Sequence, residues 1–431
     1  MLRRCWQGVT DGEVEMTATR AVDWRRRWTG WGILALALLI TLVANVVVTH
    51  HVLTEPYPGH NDFMSRWEGA RSFWREGLDP YGETASANIQ RQIYGRMAAA
   101  GEDPGYFAYP FYTVFLLLPL VYLPYAWASA IWMVVLEICL IVALLLQLDL
   151  YHWRPRPWLM AALLFWTVAH YFAARGLFLG QVGLVVYLLQ ILALWGLARK
   201  HDLLAGVVLA LSTIKPQMGF LLVPFLVLLG IVLRRYRFIA SFAVALGGLI
   251  GASFLLLPAW LGEWVEQLRR YPSYTAIGAP VWIVTQHYLG LGALGEWGVN
   301  VLLWAVLGWA WYKVLWRGQR SWLDWTVMLT LTITHLSAVR TATPHYVIFT
   351  LPFLFYLKRL SSQRKHGNRW VVAILASLLV LPWAHFVLTV QGRFEHPTVY
   401  LPVPFGMLLL LWFTRHEWWQ TPSLLLPVSA E

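Results

Sequence analysis

The chain has 431 residues, of which 58% are hydrophobic and only 13% are charged. This composition excludes a soluble domain of the same length, and apolar runs of about 18 or more residues indicate a polytopic membrane protein. The formal net charge of +11 does not indicate a nucleic-acid partner, because Arg and Lys cluster in short loops between apolar runs, as in the cytoplasmic loops of membrane proteins.

The N-terminal residues 1–28 are predicted to form a cytoplasmic tail, and residues 29–431 a single membrane domain. Arg25, Arg26 and Arg27 stand directly before an apolar run that extends to Thr49. Because no small-residue cleavage site is evident, this run is predicted to be a retained signal anchor with its N-terminus in the cytoplasm.

The apolar segments and the basic loops between them predict the topology. Thirteen candidate segments lie at residues 29–49, 107–124, 125–148, 158–178, 181–197, 203–214, 218–233, 238–258, 298–316, 323–339, 341–357, 370–389 and 400–414. The basic loops at 154–156, 199–200, 234–237, 315–320 and 358–369 are assigned to the cytoplasm, so the hydrophilic segments 50–106 and 259–297 are predicted to lie outside.

Parity then requires that one of the segments 107–124 and 125–148 does not cross the membrane. The first is short and is interrupted by Pro110, Pro119 and Pro124, so it is the expected re-entrant or interfacial element. The fold class predicted is therefore an all-α bundle of about twelve transmembrane helices, with an outward loop that carries interfacial helices.

The outward loop 50–106 contains a predicted amphipathic helix. Phe63, Trp67, Ala70 and Trp74 recur at helical spacing, and Asp62 stands at the expected N-cap. A helix of about four turns with this much charge is expected to lie in the interface rather than to cross. Asp62 is then either a simple cap or a carboxylate that faces a cavity as a general base.

Three polar side chains stand at breaks in apolar segments that the predicted topology places near the outer surface. Lys215, followed by Pro216, interrupts an apolar run, and a buried Lys costs several kcal/mol unless it has a partner. Arg340 and His345 flank a second break. A lipid phosphate would satisfy these cations. The alternatives are a snorkelling Lys and a hydrogen-bonded core His.

Further candidates lie near the same predicted surface. Gln181 either binds a sugar hydroxyl or caps the helix that starts there, and Arg175 either joins a phosphate site or snorkels to the interface. Arg66, Tyr81 and Tyr109 are expected to support the site, the two tyrosines by turning the chain at the surface.

Five stretches together resemble glycosyltransferase family 87. They are Asp62-Phe63 with EGARSFWREGLDPYGE behind it, YFAYPFYTVFLLLPLVYLP at 106–124, GQVGLVVYLLQILAL at 180–194, LAGVVLALSTIKPQMGFLL at 204–222 and TPHYVIFTLPFLF at 343–355. The resemblance covers about residues 30–360. Phe111 stands where the family often has a second Pro, and RTATPHY lacks the family's Ser-Trp.

The resemblance implies a GT-C-type membrane enzyme of the cell membrane that moves mannose from a polyprenyl-phosphate donor to an acceptor hydroxyl on the outer face, with inversion. It assigns the base to Asp62 and implies that no metal or cofactor is needed. The residues themselves show no acidic pair or His/Cys cluster with ligand spacing. The alternatives are a lipid-linked glycan ligase, a lipid or sugar transporter, and a non-catalytic scaffold.

Overall fold

A computed structural model describes residues 31–57, 61–275, 277–392 and 395–426. The predicted tail 1–28 lies outside the described residues. The chain divides into two compact units, Met1–Pro58 and Gly59–Glu431. The described residues form helices and turns and no extended strand, which confirms the all-helical prediction.

In the first unit, the described residues form one apolar helix, α1 (Trp31–Thr54). Its 24 residues are enough to cross a hydrocarbon core of about 30 Å. The last turn, His50–Thr54, is π-helical. The span predicted at 29–49 is therefore a helix in its described part.

The second unit contains eighteen α-helices in its described residues. They are α2 (Phe63–Glu76), α3 (Glu83–Tyr94), α4 (Thr113–Leu117), α5 (Tyr125–Leu150), α6 (Pro157–Ala169), α7 (Tyr171–Phe178), α8 (Gly183–Ala198), α9 (Asp202–Leu211), α10 (Leu222–Val232), α11 (Tyr236–Leu256), α12 (Trp260–Tyr274), α13 (Pro280–Trp282), α14 (Gly292–Leu315), α15 (Leu323–Ser337), α16 (Thr350–Gln363), α17 (Gly367–Thr389), α18 (Pro402–Phe413) and α19 (Arg415–Trp419).

Five helices of the described chain are long and apolar enough to cross a membrane: α1, α5, α11, α14 and α17. A sixth span is possible if α6 and α7, which meet at a bend of 50°, count as one. The predicted number of about twelve is not confirmed, because several predicted spans form apolar helices of 10–17 residues. A straight helix needs about 20 residues to cross.

The two segments whose crossing was in question differ clearly. Residues 125–148 lie in α5, a continuous helix of 26 residues. Residues 107–124 contain only the five-residue helix α4 and turns on both sides of it. The prediction that 107–124 is the element without a full crossing helix therefore agrees with the helix lengths.

Helix α2 packs against the turns around α4 rather than standing free. Phe63, Trp67 and Ala70 are buried at the predicted helical spacing. The indole N–H of Trp67 donates to the carbonyl of Leu120 at 3.0 Å. Gly77 ends the helix in the left-handed region with φ 67°, which glycine adopts at little cost. This packing fixes the start of α2, where Asp62 lies.

Two other regions are interrupted by short irregular stretches. Lys215 separates the 3-10 turns Ser212–Ile214 and Pro216–Met218, which lie between α9 and α10. Residues 338–342 separate α15 from the 3-10 helix Thr343–Phe349. Proline at 216 and at 344 removes a backbone donor and favours such breaks. Non-helical backbone inside an apolar bundle is tolerated where it lines a cavity or is buried in protein.

Candidate active site

A cavity of about 1070 Å³ opens between these interruptions. Its walls come from residues 61–66, 93–109, 175–181, 215–217, 271–275, 277, 340–345, 386–392 and 395–400. We call it the polar cavity. Eight predicted site residues line it: Asp62, Arg66, Tyr109, Arg175, Gln181, Lys215, Arg340 and His345. Tyr81 is not among the lining residues. Side chains far apart in the chain therefore share one space.

Asp62 immediately precedes α2, but it does not cap the helix with its side chain. Its carboxylate instead accepts a short hydrogen bond from the amide Nε2 of Gln181. Its backbone carbonyl accepts one from the guanidinium of Arg66, one turn along α2. Asp62 therefore occupies the predicted N-cap position, but its side chain makes no capping bond, because a partner from a distant segment holds the carboxylate toward the cavity.

Gln181 links Asp62 to Lys215. The Nζ atom of Lys215 donates to Oε1 of Gln181 at 2.6 Å. Lys215 is only 3% exposed, and no described carboxylate lies within salt-bridge distance of it. A buried ammonium without a counter-ion is costly. Lys215 Nζ also lies 5.9 Å from the ring centroid of Tyr109, so its described neighbours include an amide and an aromatic ring but no ion-pair partner.

The local sequence Gly180-Gln181-Val182-Gly183 allows this approach. Gly180 has φ 61°, and a Cβ atom there would lie 2.6 Å from Cβ of Phe63. A Cβ atom at Gly183 would lie 3.0 Å from the ring of His345. Glycine at both positions lets the start of α8 pack against the start of α2 and against His345. Gln181 thereby reaches its two partners.

Arg66 and Tyr109 form a second contact beside Asp62. The guanidinium of Arg66 donates to the hydroxyl of Tyr109 at 2.8 Å and lies 4.7 Å from the ring centroid. Burial raises the pKa of the Tyr109 phenol, but the charges of Arg66 and Lys215 outweigh it, so this pKa is below its ordinary value. Tyr81 donates to the backbone carbonyl of Tyr109 at 2.6 Å, which explains its supporting position outside the cavity lining.

His345 presents one ring nitrogen to its own backbone. Its Nδ1 lies 3.3 Å from the backbone N–H of Ala342 and from the hydroxyl of Thr341. Because a backbone N–H can only donate, Nδ1 is assigned as the acceptor, and the neutral ring then carries its proton on Nε2. Nε2 is buried without a protein partner in the described residues. It is a hydrogen-bond donor available to a ligand.

Arg340 connects the second interruption to α12. Its guanidinium donates to the carbonyl of Pro272 at 3.1 Å and lies 5.5 Å from the ring centroid of Trp282. No described carboxylate lies within salt-bridge distance of it. Arg340 is therefore a second cation of the polar cavity whose charge is not neutralised by an ion pair in the described chain.

Arg175 differs from the other cations because it has an acidic partner. Its Nε donates to Oε1 of Glu395 at 2.9 Å. Tyr171 and Thr343 donate to the same buried carboxylate, at 2.5 Å and 2.8 Å. Glu395 was not predicted from the sequence. The available signal was the rule that an Arg in apolar surroundings needs a counter-charge, but nothing local names the partner.

The remaining wall of the cavity is aromatic and acidic. Tyr106, Tyr271 and Tyr274 line it together with Asp103. None of these four was predicted as a site residue. They come from the hydrophilic segments 50–106 and 259–297. Composition alone does not predict that these two segments pack against each other.

One cluster with metal-ligand chemistry lies in the other unit. Ligand atoms of His50, His51 and Glu55 lie within 4.8 Å of one another, although no such cluster was identified from the sequence. The π-helical turn is the reason, because it aligns residues five apart. The shortest contact, 2.9 Å between His51 and Glu55, is also an ordinary pair one turn apart.

Comparison with known proteins gives a family. The model of glycosyltransferase family 87 matches residues 107–337, which is just over half of the chain. The matched range contains Tyr109, Arg175, Gln181 and Lys215, while Asp62, Arg340 and His345 lie outside it. The same comparisons found no match among curated proteins and none among solved structures.

Proposed function

Because the chain belongs to glycosyltransferase family 87, we propose that it transfers mannose from a polyprenyl-phosphate donor to an acceptor hydroxyl on the outer face of the cell membrane, with inversion. The family supports a membrane glycosyltransferase in general. The donor, the sugar and the membrane face are part of the proposal and depend on the chemistry of the polar cavity.

The observation that carries the donor is Lys215, a buried ammonium with no described acidic partner. A sugar linked to a lipid phosphate brings one negative charge, which would offset the cost of burying this cation. Arg340 and the Nε2–H of His345 face the same space and can donate to phosphate oxygens. A neutral sugar donor would leave the charge of Lys215 uncompensated.

The transfer step needs one base. Asp62 accepts the proton of the acceptor hydroxyl while that oxygen attacks the anomeric carbon. The bond from this carbon to the donor phosphate oxygen breaks, and the electron pair leaves with the polyprenyl phosphate. The second pKa of a phosphate monoester is about 6, so the leaving group departs as an anion without a general acid. Gln181 fixes the position of the base Asp62 relative to the cation Lys215, because it forms a hydrogen bond with each of them.

We infer the direction of the cavity from the charge distribution. Short basic loops are typical of the cytoplasmic side, and the residues of the polar cavity lie in the segments that alternate with those loops. The proposed topology therefore opens the cavity to the outer leaflet, where the lipid donor and an envelope acceptor can both enter.

The test compares three donors with the purified protein in lipid nanodiscs. Polyprenyl-phosphate-mannose is expected to be consumed, with release of polyprenyl phosphate. GDP-mannose should not be used, because it has no lipid chain. A polyprenyl-pyrophosphate glycan should not be used either, and its use would indicate the ligase instead. Movement of labelled lipid across vesicles without any sugar transfer would support a transporter and overturn the proposal.

A further inference from the structure

The polar cavity contains one carboxylate that the proposed donor chemistry does not use. Of the acids that line it, Asp62 is the proposed base, Glu395 pairs with Arg175, and Glu102 pairs with Arg96 at 2.7 Å. Asp103 has no described cation within salt-bridge distance. Its Oδ1 accepts from the backbone N–H of Gly105 at 2.8 Å, which leaves Oδ2 without a described partner.

The wall next to Asp103 is made of tyrosine rings from two separate segments. Tyr106 and Tyr274 meet edge to face, with centroids 5.5 Å apart, and so do Tyr271 and Tyr274. The hydroxyl of Tyr274 is buried without a hydrogen-bond partner in the described residues. A buried hydroxyl usually has a partner, and a bound hydroxyl group would supply it.

The polar cavity has a volume of about 1070 Å³, which lies at the upper end of the range of about 300–1000 Å³ for small-ligand pockets. Arg66, Lys215 and Arg340 line the cavity without an ion-pair partner among the described residues, and they suit an anion. The carboxylates of Asp103 and Asp62 both disfavour a bound anion. Desolvation within the cavity raises the pKa of Asp103, with a smaller contribution from the charge of Asp62.

We propose that Asp103, Tyr106 and Tyr274 form the acceptor subsite and that the acceptor is a neutral saccharide. This inference rests on the proposed function and names its second substrate. Hydroxyl groups of the saccharide donate to the carboxylate of Asp103, and its apolar ring faces lie on the tyrosine rings. An acceptor with a phosphate headgroup would place a negative charge beside Asp103 and Asp62.

The experiment measures acceptor use in nanodiscs with polyprenyl-phosphate-mannose as donor. The neutral probe is octyl mannobioside, and the anionic probe is phosphatidylglycerol, which also offers free hydroxyls. Transfer to the neutral probe is expected. Asp103→Asn, Tyr106→Ala and Tyr274→Phe should each raise the KM for octyl mannobioside by about 5- to 30-fold, as expected for lost hydrogen bonds or ring contacts. Tyr288→Ala, on an exposed tyrosine outside the cavity, is the matched control.

Hydrolysis of the donor by water separates this inference from the proposed function. The wild-type protein and Tyr288→Ala should hydrolyse the donor at the same rate in the absence of acceptor, which measures the donor chemistry without the subsite. If no variant transfers or hydrolyses donor, and neither does the wild type, the proposed function fails, and saturation-transfer NMR with octyl mannobioside still reports on the subsite. Preference for phosphatidylglycerol, or unchanged saccharide binding in all three variants, would overturn the inference.

Discussion

Lys215 and Arg175 are two cations that line the same cavity, but only Arg175 has a carboxylate partner among the described residues. Arg175 shares the carboxylate of Glu395 with Tyr171 and Thr343. Lys215 bonds to the amide oxygen of Gln181 and has no described carboxylate within salt-bridge distance. A cation with a buried acid partner is neutralised by the protein itself. A buried cation without one is stabilised when an anionic ligand binds.

The comparison separates a structural ion pair from a ligand site. Arg175 was predicted with Lys215 as a phosphate-binding candidate, and both line the cavity. We now propose that Lys215 binds the donor phosphate directly, while the pair of Arg175 and Glu395 ties α7 to the 3-10 helix Thr343–Phe349. Both assignments can be tested by substitution.

The largest effect is expected for Asp62→Asn, which removes the base but keeps the size of the side chain. A positioned general base contributes about 10²- to 10⁴-fold to a rate, so kcat should fall by at least about 100-fold with the donor KM little changed. Mannose transfer from a radiolabelled donor measures this. Asp149→Asn is the matched control, because Asp149 pairs with Arg199 and lies outside the cavity lining. Near wild-type turnover of a folded Asp62→Asn protein would remove Asp62 from the reaction.

Next in size is Lys215→Met, which keeps the length of the side chain and removes its charge. A charge-assisted hydrogen bond contributes about 1.5–3 kcal/mol, so kcat/KM for the donor should fall by about 10- to 100-fold. The protein should unfold at the same or a higher temperature, because an unpaired buried charge has been removed. Lys365→Met changes an exposed lysine and serves as the control.

Arg175→Met is the substitution to compare with Lys215→Met. If Arg175→Met lowers donor kcat/KM as much as Lys215→Met while leaving the melting temperature unchanged, the distinction between the two cations is wrong. If Lys215→Met leaves donor use intact, Lys215 does not bind the phosphate.

Much of the site was predictable because charged residues are unusual within or beside apolar segments. An Asp before an amphipathic helix and a Lys-Pro break in an apolar run are visible locally, and the polar cavity contains both. The partners were not predictable. Gln181 lies 119 residues from Asp62, and Glu395 lies 220 residues from Arg175. For the same reason the local pattern favoured a cap for Asp62, since capping needs only neighbours.

The fold shows the same limit. Most apolar runs contain helices, as predicted, but 107–124 contains only the five-residue α4. The runs also did not distinguish a helix that crosses the membrane from a short helix of the bundle. Residues 203–214 and 218–233 are apolar throughout most of their length, yet Lys215-Pro216 divides them into the short helices α9 and α10. Apolar composition alone therefore does not identify a crossing helix, and the uninterrupted length is also needed.

The smallest effect on catalysis is expected for Glu395→Gln, and it tests the other half of the comparison. Removing this carboxylate leaves the Arg175 guanidinium without its ion-pair partner and weakens the hydrogen bonds from Tyr171 and Thr343. Breaking a largely buried pair on one side is destabilising, so the melting temperature in detergent should fall by several degrees, while donor kcat/KM changes only a few-fold. The double variant Arg175→Met/Glu395→Gln removes both charges and should recover part of the lost stability. A pair that served the donor rather than the fold would show the reverse: a loss of donor use that the double variant deepens, with no change in melting temperature.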